Sequence, residues 1–239
     1  MKCLPKWSYG VTTVPSRFRE SKLLANTLMS LCGAGFDDPH LFVDGDPKSA
    51  EWVECSTKSI FTNATIRNPP VRTAGNWCLS LAELYVRDPW ADRYALFQDD
   101  FVTYRGLRKY LDCCVFEPKT YWNMYSFPAN EALAAGRTGW YPSNQMGRGA
   151  VALVFDRDGA IDLLGSRHML KRPQDINRGW KSVDGGICES LKGQGYVELV
   201  HNPSLVQHTG VVSSMNNRPH KKSETFRGEE FDACELCKK

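Results

Sequence analysis

Apolar positions along the chain recur with two different periods. Tyr9 to Val14 is a short β-branched run closed by Pro15. From Ser16 onward Leu24, Leu28 and Leu31 fall at helical spacing until Gly33-Ala34-Gly35, and Leu41-Phe42-Val43 is a compact apolar run ending at Asp44-Gly45. This spacing predicts strand, helix, strand. A βαβ beginning implies a parallel sheet that offers its ligand sites at the strand C-termini.

The same logic repeats downstream. Thr73 is placed to cap a helix carrying Trp77, Leu81, Leu84 and Tyr85 on one face. The strand Tyr94-Ala95-Leu96-Phe97 follows and stops at Gln98-Asp99-Asp100. A helix is expected from Gly106 to Val115, a strand from Tyr121 to Phe127, and a loop from Pro128 to Gly149. Then come a strand at Ala150–Phe155, helices at Asp158–Leu170 and Val183–Leu191, and a strand at Val197–His201 before Asn202-Pro203. The expected class is α/β, with a mostly parallel sheet flanked by helices. From about Arg218 Pro, Lys and Glu replace the aliphatics, which reads as one domain over 1–217 and a charged C-terminal tail over 218–239.

Composition narrows the class. The chain has 239 residues, 42% of them hydrophobic and 24% charged, which excludes disordered, collagenous and coiled-coil proteins. Lys and Arg exceed Asp and Glu by 30 to 27, too small an excess to demand nucleic acid as a partner. No run reaches the roughly 18 apolar residues of a membrane span. The opening residues carry no apolar signal-peptide core, so the expected setting is the cytoplasm of a bacterium or virus-infected cell, with the nine cysteines as free thiols.

The most informative stretch is Leu96-Phe97-Gln98-Asp99-Asp100-Phe101. Two adjacent carboxylates ending a buried strand repel each other unless something offsets their charge. At the C-terminal edge of a parallel sheet a divalent cation carrying a phosphorylated ligand does so; a solvated turn is the plainer alternative. His208, in Asn202-Pro203-Ser204-Leu205-Val206-Gln207-His208-Thr209-Gly210, sits just after a strand and could complete such a site through a neutral imidazole.

The Thr12-Thr13-Val14-Pro15-Ser16-Arg17 strand end, the central Gln-Asp-Asp and the late Asn-Pro-Ser-Leu-Val-Gln-His-Thr-Gly together resemble the GT-A glycosyltransferases, over roughly residues 7 to 215. The resemblance implies a Rossmann-like GT-A fold and metal-dependent transfer of a sugar from a nucleoside diphosphate donor, UDP foremost, to an acceptor hydroxyl. It implies Thr12, Thr13, Pro15 and Arg17 at the nucleotide, Asp44 after the second nucleotide-binding strand, and Arg72 and Asn76 in a nucleotide- or sugar-contacting loop. Asp99 would lie near the ribose or sugar, and Asp100 and His208 would hold Mn²⁺ or Mg²⁺. Gln98 departs from the family pattern, which has an acid there, and lowers the charge at the metal. Gly149, in Gly147-Arg148-Gly149-Ala150, matches the small-residue loop beneath the donor sugar. Asp184, at the start of a late helix, matches the general base of an inverting enzyme, with Glu189 and Asp175 as reserves; a plain helix cap is its alternative role.

The acceptor is open. Arg167, Lys171, Arg172, Arg178, Trp180 and Lys181 form a basic, aromatic-bearing stretch leading into Asp184, with sparser mixtures at Arg137, Trp140, Tyr141 and Arg148, and at Arg105, Arg108 and Lys109. Such mixtures suit phosphate contact and base stacking, as well as a solvated surface. The acceptor is therefore either a hydroxymethylated pyrimidine in DNA, flipped out of the stack, or a surface glycan. Two other classes stand beside this one: a nucleotidyltransferase acting on a sugar phosphate, and a nucleic-acid-binding module stapled by zinc at Cys234-Glu235-Leu236-Cys237, with His220 or Cys113 and Cys114 completing the site.

Overall fold

The computed structural model describes residues 4–19, 22–45, 64–167, 169, 183–210 and 221–237. The elements of the first half are β1 (Trp7–Thr13), α1 (Pro15–Arg19), α2 (Leu23–Ala34), β2 (His40–Asp44), β3 (Ala64–Arg67), α3 (Arg72–Arg87), β4 (Arg93–Gln98), β5 (Phe101–Thr103) and α4 (Leu107–Cys113). They are followed by β6 (Thr120–Asn123), the single turn α5 (Pro128–Glu131), β7 (Gly139–Pro142), β8 (Ala152–Asp156), α6 (Arg157–Leu164), α7 (Val183–Lys192), β9 (Val197–Asn202), β10 (Val206–His208) and a 3₁₀ turn at Ala233–Cys237.

Among the described residues the main sheet has eight strands in the order β3-β2-β1-β4-β8-β6-β9-β7. β3, β2, β1 and β4 run parallel, β8 runs against β4 and β6, and β9 parallels β6. The expected mixed, mostly parallel sheet is present. Its strands are apolar on both faces because both are covered. Leu41, Val43, Ala95 and Phe97 meet Leu24, Leu28, Leu31 and Phe36 on one side. Phe42, Tyr94 and Leu96 meet Trp77, Leu81 and Leu84 on the other. The glycine stop after α2 works as read: Gly35 has φ +90°, and its N–H donates to Cys32 O while that of Phe36 donates to Leu31 O.

Several elements escaped the hydrophobic pattern. β3 and β7 are four residues each, and β7 lies inside the expected Pro128–Gly149 loop. The strand expected over 121–127 leaves the sheet after Asn123, where Met124 O turns to accept the N–H groups of Leu205 and Val206. The helix expected from Asp158 to Leu170 stops at Leu164, before Gly165. Thr73 is not the N-cap of α3: the cap residue is Val71, whose N–H donates to Asp44 Oδ1 at 2.7 Å. A carboxylate from the neighbouring strand thus replaces a local cap.

The charged segment at 221–237 is docked on the core. Phe226 stacks on Tyr104 at 4.8 Å, Phe231 meets it edge-on at 5.0 Å, and Ala233 is fully buried. The boundary expected at 217 lies outside the described residues.

Gly10 shows how tightly β1 is seated. A Cβ there would lie 2.6 Å from His40 O and 2.6 Å from the Phe42 ring, and the first contact is backbone of the paired strand. Gly10→Ala is expected to cost about 2–3 kcal/mol in urea unfolding, the upper range of overpacking; a loss under about 0.5 kcal/mol would show that β1 and β2 can part freely.

Candidate active site

The parallel strands end along one edge, and that edge collects the predicted residues. β1 delivers Thr12 and Thr13 and turns at Pro15 into the short helix that carries Arg17. β4 ends at Gln98, so Asp99 and Asp100 emerge beside Thr13. The antiparallel pairing of β10 with β5, His208 opposite Phe101, carries the late histidine to the same place. Residues about a hundred positions apart therefore meet because one strand pair returns to the sheet edge.

Asp99 and Asp100 are 7% and 4% exposed, so their charges lie out of bulk water. Thr13 Oγ1 donates to Asp99 Oδ2 at 2.6 Å, Arg17 Nη2 donates to Asp100 Oδ2 at 3.0 Å, and Arg17 Nε stands 3.9 Å from Asp99 Oδ1. Burial and the adjacent Asp100 carboxylate raise Asp99 to about 7, against the pull of Thr13 and Arg17. The two acids have different partners: Asp99 accepts from the Thr13 hydroxyl, while Asp100 is paired with the Arg17 guanidinium.

Asp100 Oδ1 is buried with no hydrogen-bond partner and faces His208 Nε2 at 3.6 Å. The Gly210 N–H donates to His208 Nδ1 at 3.2 Å, which leaves the proton of a neutral ring on Nε2; ligating a cation through Nε2 requires that proton to leave and the ring to carry its proton on Nδ1, away from the Gly210 N–H. A Cβ on Gly210 would lie 2.8 Å from Asp100 Oδ2 and 3.0 Å from His208 Cε1 and fill this cradle. The separation of 3.6 Å is less than twice the roughly 2.1 Å of a metal–oxygen bond, so one small divalent cation can reach both atoms. Among the described residues no three His, Cys, Asp or Glu side chains form a metal cage. Such a cation would take its other ligands from phosphate oxygens and water, as Mg²⁺-type sites do.

Asp184 reaches the same neighbourhood from the other half of the sheet. It lies in the first turn of α7, and its Oδ2 accepts the Gly149 N–H at 2.8 Å. Gly149 has φ +79°, and a Cβ there would lie 2.5 Å from the Tyr125 ring. Gly147 has φ +57° and would place a Cβ 2.4 Å from Asp184 O. Both glycines are required by left-handed backbone and close approach. Tyr125 also packs against the His208 ring, with centroids 6.3 Å apart. A chain of contacts, His208, Tyr125, Gly149 and Asp184, joins the proposed metal end to the proposed base.

Two predicted contacts serve internal roles in this form. Asn76 is buried, accepts from Arg67 Nε at 3.2 Å and donates to Phe42 O at 3.0 Å. Asp44 accepts from Val71, as described. Arg72 opens α3 with φ +64°. Glu189 is exposed on α7, and Asp175 lies outside the described residues with Lys171, Arg172, Arg178, Trp180, Lys181 and His220.

Of the sparser basic mixtures, Tyr141 is buried and Trp140 is half-buried against the core. Trp140 stacks on Trp122 at 4.5 Å, and Tyr141 donates to Asn130 O. Arg105 pairs with Glu230, and Arg108 lies over Tyr9 and Phe36.

Two residues were missed by the sequence reading. Arg67, at the C-terminal end of β3, pairs with Glu83 and keeps a buried Nη2 without a partner. Glu198 is 2% exposed within β9, where it accepts from Ser143 Oγ at 2.5 Å and Asn123 Nδ2 at 3.2 Å. Burial raises its pKa. Asn123 Nδ2 also reaches Arg148 O, and the Gln145 side chain brackets the Glu198 backbone, so this network shapes the 143–149 loop beneath Asp184. The available signal was one acid inside the apolar strand Val197-Glu198-Leu199-Val200.

His201, fully buried beside this network, gives a pH test. Its Nδ1 donates to Pro203 O at 2.7 Å, and with the ring held neutral by burial its Nε2 accepts from Tyr110 Oη at 2.6 Å. Burial lowers its pKa to about 4. The unfolded chain protonates this ring near 6.5 and the folded chain does not, so stability is lost as pH falls through that window. Asp99, raised in the fold, works in the opposite sense, and His40 in the same one. The difference between wild type and His201→Asn isolates the one group. Between pH 6.5 and 4.5 wild type is expected to lose about 2–3 kcal/mol more than the variant, and parallel curves would refute the assignment.

No family model matches the chain, and no curated protein matches it. Solved structures do. The mannosyltransferase PcManGT from Pyrobaculum calidifontis, solved with GDP-Man and Mn²⁺, aligns at 12% identity and TM-score 0.55 over 85% of this chain and 56% of that one. GalNAc-T7, solved with UDP, GalNAc and Mn²⁺, aligns at 10% identity and TM-score 0.57 over 100% of this chain and 48% of that one. The chain spans about half the length of these two structures. A nucleotidyl transferase from Methanothermobacter thermautotroptrophicus aligns at 15% identity over 82% of this chain and 86% of that one, with TM-score 0.48. At these identities the likeness is one of architecture alone: the chain has the Rossmann-like α/β fold of the GT-A glycosyltransferases.

Proposed function

We propose that the chain is a metal-dependent glycosyltransferase that moves a sugar from a nucleoside diphosphate donor, UDP-linked foremost, to an acceptor hydroxyl with inversion. The observation that carries this reading is the contact chain from Asp100 and His208 through Tyr125 and Gly149 to Asp184. This chain of contacts supports reading Asp100 and His208 as a cation cradle and Asp184 as the base, the two functions that displacement at an anomeric carbon needs. The two Mn²⁺-bound structures of this architecture support the choice of metal and donor class.

Asp100 Oδ1 and His208 Nε2 would hold Mn²⁺ or Mg²⁺, which when bound neutralises charge on the departing diphosphate. Arg17, already against Asp100, is within reach to pair with a phosphate as well. Thr12, Asp44, Arg67 and Arg72 end the neighbouring strands or open α3 and form the nucleotide side. Asp184 takes the acceptor proton, and the Gly149 N–H fixes its carboxylate through Oδ2. Glycines at 147 and 149 keep that wall flat for donor sugar and acceptor.

The acceptor we propose is a hydroxyl on a modified DNA base or on a surface glycan, in a cytoplasmic setting. No helix among the described residues is long and apolar enough to cross a membrane. The deciding experiment is incubation with a panel of nucleotide sugars and Mn²⁺, each paired with hydroxymethylated DNA, plain DNA and simple glycans, with products read by mass. A hexose-sized mass gain on one acceptor establishes the reading; no product from any pair, or conversion of the donor with added pyrophosphate to a nucleoside triphosphate and a sugar phosphate, overturns it.

A further inference from the structure

The C-terminal segment is tied to the core at both of its ends. Its last turn docks through a short parallel bridge between Arg105 and Asp232, with Arg105 N–H donating to Phe231 O at 3.1 Å and Ala233 N–H to Arg105 O at 2.9 Å. Cys234 and Cys237 on that turn are free thiols, and no three metal-ligating side chains gather among the described residues, which leaves the zinc staple without support there. The other end, residues 221–225, meets β10, the strand that carries His208. Ser223 N–H donates to Gln207 Oε1 and Gln207 Nε2 donates to Ser223 O, both at 2.9 Å. The Ser204 N–H donates to Thr225 Oγ1 at 2.9 Å. Ser204 lies just before β10 and Gln207 within it, next to His208, so the segment grips the arm on two sides. Tyr125, whose ring packs against His208, donates its hydroxyl to Lys221 O.

Both grips converge on one carboxylate. Glu131, at the end of α5, accepts through Oε1 from Thr225 Oγ1 at 2.7 Å, from the Thr225 N–H at 3.1 Å and from the Ser223 hydroxyl. Its Oε2 accepts the Glu224 N–H at 3.1 Å. An ionised carboxylate is acceptor-only, and the four donors from residues 223–225 match its capacity. Hydrogen bonds to an ionised acceptor are also the stronger kind. The turn that presents Glu131 is itself fixed: the adjacent Asn130 is fully buried and accepts from Tyr141 Oη through its backbone oxygen and from the Asn144 N–H through Oδ1, both at 3.0 Å.

We propose, on the reading of His208 as a metal ligand, that Glu131 is a positioning residue for that ligand: it clamps residues 223–225 in the conformation that holds Ser204 and Gln207, and so sets where the His208 ring stands relative to Asp100. Small divalent cations are demanding about ligand geometry. Releasing the clamp frees the arm to drift and weakens the cation site while both ligands stay in the chain. Partners that hold ligands in place commonly change metal affinity by about 10 to 100-fold when removed.

The experiment compares the full wild-type chain with Glu131→Ala and with Thr225→Val, a near-isosteric change that removes the hydroxyl joining Ser204 to Glu131. Circular dichroism checks that each variant is folded. Hydrogen–deuterium exchange is followed in peptides spanning 204–208 and 221–225, and Mn²⁺ is titrated calorimetrically in the presence of UDP. Both variants are expected to exchange faster in both peptides and to bind Mn²⁺ about tenfold more weakly. Glu230→Gln, which breaks the exposed pair with Arg105 near the far end of the segment, should match wild type in both measurements. Unchanged exchange, faster exchange with Mn²⁺ affinity within about twofold of wild type, or an equal loss in Glu230→Gln would overturn the proposal. A wild-type chain that binds no Mn²⁺ would overturn the metal reading beneath it, which keeps the two failures distinct. None of these readouts depends on transferase activity.

Discussion

Asp184→Asn is expected to lower the rate of sugar transfer by about 10² to 10⁴-fold, the range for loss of a general base, while donor affinity stays within about twofold of wild type. The side chain is nearly isosteric, and its amide oxygen can still accept the Gly149 N–H that Asp184 Oδ2 now accepts at 2.8 Å. The loop at 147–149 and the first turn of α7 therefore keep their shape. What disappears is the capacity to take a proton from the acceptor. Donor binding, measured by calorimetry with a nucleotide sugar and Mn²⁺, separates this from a structural defect. Equal losses of affinity and rate, or a rate within tenfold of wild type, would remove Asp184 from the base position and point to the helix-capping role a first-turn acid commonly has.

Removal of the cation is expected to have an effect at least as large. Chelation should abolish donor binding and turnover, and added Mn²⁺ or Mg²⁺ should restore both, because stabilising the developing diphosphate charge is worth several kcal/mol, about 10³-fold or more in rate. His208→Ala should reproduce the loss and leave the protein unresponsive to added metal. The histidine is the better variant because Asp100 also pairs with Arg17 at 3.0 Å inside the fold. Truncating Asp100 would also remove one buried partner of that guanidinium, so a loss of activity would not separate a metal role from a structural one. Full turnover in EDTA, or a His208→Ala enzyme that Mn²⁺ activates normally, would overturn the metal site.

Local chemistry made part of this site legible beforehand. An apolar strand ending in Gln98-Asp99-Asp100 announces a charged sheet edge, since an unbroken apolar run and adjacent acids are both properties of neighbours in the chain. Glycines at 147 and 149 mark turns for the same reason. Asn76 shows the limit. A polar residue near the start of a helix reads equally well as a ligand contact or as an internal tie, and only the positions of Arg67 and Phe42 O show that both of its amide atoms are used inside. Glu198 is the opposite case: an acid in an apolar strand looks anomalous until Ser143, Asn123 and Gln145 are seen closing around it. The basic mixture at Trp140 and Tyr141 came apart similarly, because stacking on Trp122 consumes the aromatic that a nucleic-acid reading needs.

The order of apolar runs and their periods was enough to determine the α/β class, the parallel start, the strand that ends in two acids and the helix stop at Gly33-Ala34-Gly35, since each depends on residues within a turn or a strand of one another. Strand order, the antiparallel insertion of β8, the short strands β3 and β7, the return of β10 that sets His208 3.6 Å from Asp100, and the docking of the charged C-terminal segment were decided by tertiary structure alone. Four-residue strands carry too little periodic signal to be seen, and contacts across a hundred residues depend on which buried surfaces match, a property of pairs of elements rather than of any single stretch of the chain.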